Sequence, residues 1–76
     1  MARRDYEDDA REVARQRERT PRAWAMWDRL FDEMVKRGRD HRLEVALVAL
    51  GARIDLGQEI GEIETKFYES IISEAA

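Results

Sequence analysis

Residues 20–38 read TPRAWAMWDRLFDEMVKRG, and this stretch decides the fold. Proline disfavours a helical conformation for Thr20 but suits the first helical position, so Thr20 is placed to cap a helix that begins at Pro21. Gly38 is a natural stop, which predicts a helix over 21–37. Ala23, Trp24, Trp27, Leu30, Phe31, Met34 and Val35 share an arc of roughly 120° on that helix. Met26 flanks the arc, and Asp28, Arg29, Asp32, Glu33 and Lys36 lie outside it. This is an amphipathic helix with one face to bury.

Outward toward the C-terminus, Arg39-Asp40 makes a short turn and Asp40 can cap the next helix. Residues 41–74 contain no proline and carry two apolar faces when wound as a helix. Leu43, Leu47, Leu50, Ile54, Tyr68 and Ile72 form the first, and Val45, Ala49, Ala52, Leu56, Ile60, Ile63 and Phe67 the second. A helix apolar on two sides is expected to be central and covered twice. Gly51, Gly57 and Gly61 each cost about 1 kcal/mol relative to alanine in a helix interior. The stretch is therefore read either as one continuous helix or as two, over 41–56 and 58–74, with a break near Asp55-Leu56-Gly57. Leu43 to Leu50 also alternates in part, but no other segment offers a strand to pair with, so helix is expected there.

Outward toward the N-terminus, residues 5–19 favour helix yet offer little to bury: Tyr6, Ala10, Val13 and Ala14 form a thin stripe. The chain thus divides into a polar, weakly packed N-terminal helix over 1–19 and a helical core and association unit over 20–76. The fold class expected is all-α, a three- or four-helix bundle completed by homodimerisation.

The whole chain has 76 residues, 43% of them hydrophobic and 41% charged, with no cysteine. A chain this short buries only about 60% of its unfolded surface. The lack of cysteine excludes a disulfide framework and thiolate metal ligation. No apolar run is long enough to span a bilayer and no hydrophobic signal region leads the chain, so a cytoplasmic protein without membrane association is expected. Charge is graded: residues 43–76 carry Arg53 and Lys66 against seven acids, whereas residues 1–22 carry seven arginines among six acids.

Catalytic and ligand-binding patterns are sparse. His41 is the one histidine and stands at a helix start, where a solvated first-turn residue is the ordinary explanation. One histidine and no cysteine do not make a zinc site, and Glu59, Glu62 and Glu69 lack the spacing of a calcium loop. No phosphate loop, nucleophile elbow or dinucleotide fingerprint occurs. No cofactor, metal or catalytic residue is expected, and the chain is read as a non-enzyme. Gly57-x-x-x-Gly61 suits either a close helix crossing or a helix break.

Association is what the apolar surface implies. Leu56, Ile60, Ile63, Phe67 and Ile71 succeed one another at steps of four, three, four and four, a rhythm like that of a coiled-coil seam. Trp24 and Trp27 add aromatic residues of the kind enriched at binding hot spots. The expected partner is a second copy or another helical protein, which makes the chain a small adaptor or regulatory module. One alternative is nucleic-acid association through Arg11, Arg15, Arg19 and Arg22, although acids threaded among the arginines weaken a positive face. An engineered bundle is a further alternative, against which the three interior glycines and the sparse first helix weigh.

Asp40-His41-Arg42, Gly51-Ala52-Arg53 and Asp55-Leu56-Gly57-Gln58 together resemble a string in the Hha/YmoA family, small helical partners of the nucleoid protein H-NS. The resemblance covers roughly a quarter of the chain and implies a regulator that binds another DNA-binding protein. The Thr20-Pro21 entry and the acidic tail after Gln58 depart from that family, and the spacing between the matching pieces slips.

Overall fold

A computed structural model describes the backbone of residues 2–75 and the side chains from Asp8 to Glu74. The described residues form four helices and no strand: α1 (Ala2–Arg19), α2 (Pro21–Arg37), α3 (His41–Asp55) and α4 (Glu62–Ala75). The all-α reading holds, and residues 43–50 are helical. Of the two readings of 41–74, the broken one is observed. Helices α2 and α3 make the principal contact, α4 lies against both, and α1 rests on α2.

The core arises from the helix faces. Ala23, Met26 and Leu30 of α2 meet Leu43, Ala46, Leu47, Leu50 and Ile54 of α3, and Ile60 and Tyr68 complete the buried set. Trp24, Trp27, Met34, Ile71 and Ile72 pack against its edge. Met26, at the flank of the α2 face by sequence, is a core residue, whereas Phe31 and Val35 of the expected face are exposed. No described side chain of α1 belongs to the core cluster. Its ties are polar and aromatic: Gln16 Nε2 donates to Asp55 Oδ1 at 3.1 Å, and the Arg17 guanidinium lies 4.6 Å from the Trp24 ring centre.

Helix α3 starts and stops on local signals. The Asp40 carboxylate accepts the backbone N–H groups of Arg42 and Leu43 at 2.8 and 3.4 Å. At the other end Gly57 adopts φ +69°, its N–H donates to Ile54 O at 3.0 Å, and Gln58 N–H donates to Arg53 O at 2.8 Å. That pair of bonds is a Schellman closure, and only glycine reaches its left-handed residue without strain. Gly57 and Gly61 therefore flank a linker and make no close helix crossing. The strings that resemble Hha/YmoA include both ends of α3, Asp40 and Gly57.

Two local expectations are corrected. Helix α4 begins at Glu62 and not at 58, because the linker is drawn across to the start of α2. Thr20 does not cap α2 with its side chain. Its hydroxyl is buried and donates back to Gln16 O at 2.7 Å, closing the end of α1. The cap of α2 comes from Glu59, whose carboxylate accepts the N–H groups of Arg22 and Ala23 at 2.9 and 2.8 Å. With Pro21 lacking an N–H and Trp24 N–H donating to Thr20 O at 3.0 Å, every orphan donor of the α2 first turn is satisfied.

Candidate association face on helices α3 and α4

The linker fixes how α4 lies on α3. Arg53 Nη2 donates to Glu59 O at 2.9 Å, and Arg53 Nη1 pairs with Glu64 Oε2 at 2.9 Å. Glu64 Oε1 also accepts the Gly61 N–H at 3.4 Å, the reach-back half of a capping box at the α4 start. One arginine thus ties the end of α3, the linker and the first turn of α4. Burial pushes the Tyr68 hydroxyl above its usual range, Arg53 opposes that shift and Glu64 adds to it.

With α3 and α4 held in this way, the first sequence-predicted face of 41–74 turns inward. Leu43, Leu47, Leu50, Ile54 and Tyr68 are buried and Ile72 is half-buried. The second face is left outside. Of its members, Val45 is 53% exposed, Leu56 71%, Ile63 85% and Phe67 60%, and Ala49 and Ala52 are exposed; Val48, which the sequence reading left off that face, is 74% exposed. Val45, Ala49, Phe67 and Ile71 line a groove of about 330 Å³ between the two helices, with His41 and Arg42 at its rim. A second shallow depression runs on from it over Val45, Val48 and Ala49. Scattered exposed apolar residues are ordinary; Val45 and Phe67 differ in lining one groove from two helices.

The structure sorts the sequence-predicted contact residues. Leu56, Ile63 and Phe67 are exposed, and Ile71 is half-buried in the groove wall. Ile60 is the exception: it is 2% exposed and belongs to the core, so it presents nothing to a partner. The seam rhythm from Leu56 to Ile71 runs through a linker that is not helical, and helical spacing loses its meaning there. Trp24 and Trp27 are half-buried against the core. Trp27 Nε1 donates to Leu47 O at 3.2 Å, and the Trp27 and Phe31 rings stack with centres 5.3 Å apart. Val45 and Val48 line the depressions without standing out as contact residues in the sequence, although helical spacing puts Val45 on the correct face.

The four arginines proposed for nucleic acid are exposed, and two of them are paired with an acid. Arg15 and Arg19 both reach Glu12, at 3.1 and 3.4 Å. Arg22 lines a shallow depression with Met26, Arg29, Glu62 and Thr65. Among the described residues no group of three or more His, Asp or Glu side chains is arranged to hold a metal, and no helix is long and apolar enough to cross a membrane. The chain matches no family model, no curated protein and no solved structure.

Proposed function

We propose that this chain is a non-catalytic association module that binds a helical partner, either its own copy or another protein, through the outer face of α3 and α4. The observation that carries the reading is that Val45, Val48, Leu56, Ile63 and Phe67 are all more than half exposed, while the core is built from other residues. Covering apolar area contributes about 25 cal/mol per Å² before the costs of association are subtracted. Aromatic Phe67 beside a groove is the natural anchor for such a contact.

The test uses the dilute full chain and an apolar fluorescent dye, anilinonaphthalene sulfonate. Dye uptake by the folded chain should drop several-fold in Val48→Asp and Phe67→Asp and stay unchanged in Val13→Asp, which places the same charge on α1. Helical circular dichroism checks that all three variants remain folded. Uptake that ignores Val48→Asp and Phe67→Asp overturns the reading.

A further inference from the structure

We infer that α1 is an arm hinged at Thr20, and that its closed position covers the Trp24 end of an aromatic row on α2. The inference lies outside the association face and does not rest on it.

The hinge is one residue. Thr20 alone stands between α1 and α2, with φ −133° and ψ 61°. Its N–H and its hydroxyl both donate to Gln16 O, at 2.9 and 2.7 Å, whereas its carbonyl accepts the Trp24 N–H at 3.0 Å. The first two bonds lie on the α1 side of the Thr20 Cα–C bond and the third on the α2 side. Rotation about ψ therefore swings α1 as a rigid helix and breaks none of them. A residue before proline favours ψ of about +120 to +160° and avoids the helical region. The swing thus has a favoured end, and α1 and α2 do not merge into one rod. Hinges are commonly a few residues at element ends that absorb such a dihedral change.

What the swing gives up is the burial of the small Thr20 side chain and the contacts of the last α1 turn. Those contacts are few and polar. The side chains from Asp8 to Arg15 are all exposed. Gln16 Nε2 donates to Asp55 Oδ1 at 3.1 Å, and Arg17 reaches Asp28 Oδ2 at 3.8 Å between half-exposed side chains. Exposed ion pairs contribute little, and segments with few buried apolar contacts open at the low end of a protein's stability. Asp55 is the last residue of α3, where the helix dipole disfavours an acid, and Gln16 is the partner that occupies it.

The covered feature is continuous. The Trp24 and Trp27 ring centres lie 5.8 Å apart and those of Trp27 and Phe31 5.3 Å. Phe31 is 42% exposed, so the row is open at its far end. At its near end the Arg17 guanidinium lies 4.6 Å from the Trp24 ring centre. Trp24 Nε1 is buried without a partner, a cost of the closed position. Swinging α1 away lifts Arg17 from Trp24 and bares the row from end to end.

Because the chain has no cysteine, paired spin labels can read the arm. Labels at Ala10→Cys on α1 and Ala52→Cys on α3 report its position by pulsed electron resonance, in excess unlabelled chain. Labels at Lys36→Cys and Ala52→Cys report the core. The arm pair should give two distances. Arg17→Gln and Asp55→Ala should each raise the share of the second at least twofold with unchanged helical circular dichroism, while the core pair keeps one distance. A single arm distance, or shares that ignore both substitutions, overturns the hinged arm. A second distance that grows only as helical signal falls overturns the rigid swing, because α1 then unravels. A core pair that splits along with the arm pair overturns the inference as well, because the whole fold is then opening.

Discussion

Glu59 Oε1 accepts the backbone N–H of Ala23 at 2.8 Å across 36 residues of chain. An N-cap is ordinarily a short-range device in which the residue before the helix turns its own side chain onto the second or third N–H. Here the position before α2 is Thr20, whose hydroxyl is committed to α1, and a glutamate from the α3–α4 linker supplies the acceptor. The same oxygen also accepts the Ile60 N–H at 3.0 Å. One carboxylate therefore sets where α2 begins, delays α4 to Glu62 and holds Ile60 in the core.

Replacing Glu59 should accordingly cost more than an exposed linker substitution. Glu59→Gln keeps one acceptor oxygen but points an NH₂ at a backbone donor, and Glu59→Ala removes both acceptors. Losing an N-cap costs about 0.5–2 kcal/mol, so Glu59→Ala is expected at the upper end and Glu59→Gln between it and the parent. Urea midpoints at neutral pH measure this. A neighbouring exposed control, Gln58→Ala, should move the midpoint by less than about 0.5 kcal/mol.

The same contact predicts an acid limb. Burial pushes the Glu59 carboxyl up, but the N–H groups of Arg22, Ala23 and Ile60, with the Arg22 charge, outweigh it and hold the carboxyl below its ordinary value of 4.5. A group whose folded pKa lies below its unfolded one contributes full stability above the unfolded value. That contribution is lost as pH falls below 4.5 through the folded value. Chemical denaturation between neutral pH and about pH 3 should show the decline, and Glu59→Gln should flatten it. A decline of equal size in both proteins would assign it to other carboxylates.

Two glycines should respond in opposite directions to the same substitution. Gly51 lies inside α3, and a Cβ there would sit 3.7 Å from Trp27 Nε1, an ordinary contact. Gly51→Ala should therefore stabilise the fold by up to about 1 kcal/mol through helix propensity and reduced unfolded-state freedom. Gly57 holds φ +69°, where an L side chain costs about 1–2 kcal/mol, so Gly57→Ala should destabilise. Thermal melts of the pair decide it, and shifts of the same sign would contradict the assignment of Gly57 to the helix stop.

What is legible in the sequence is local. Asp40, Pro21, Gly38 and Gly57 are start and stop residues whose effect acts over one turn, and each stands at the helix end expected of it. The two faces of 41–74 are also readable, since an unbroken run of helical spacing carries through α3. What escapes is everything decided at long range. Glu59 looks like one more acid on a solvated strip, because nothing near it in sequence announces the α2 N-terminus. Ile60 has a place in a periodic ladder, although the linker that carries it is not helical. Arg53 gives no sign in the sequence that it braces both the linker and Glu64.

The paired indoles of α2 supply a last test, because they differ in one hydrogen bond. Trp27 Nε1 donates to Leu47 O at 3.2 Å, whereas Trp24 Nε1 is buried without a partner. Phenylalanine at either position keeps most of the apolar area and removes the N–H. At 27 that loses a bond worth about 0.5–1.5 kcal/mol net and shortens the ring that stacks on Phe31. At 24 it removes an unsatisfied donor, which favours the variant, and trades the Arg17–indole contact for a weaker one on phenyl, a loss of about 0.5–1 kcal/mol at most. Trp27→Phe should thus destabilise clearly and Trp24→Phe only slightly. Urea denaturation followed by circular dichroism compares them free of the change in fluorescence, and a Trp24→Phe cost equal to or above that of Trp27→Phe would refute the bond to Leu47 as the anchor between α2 and α3.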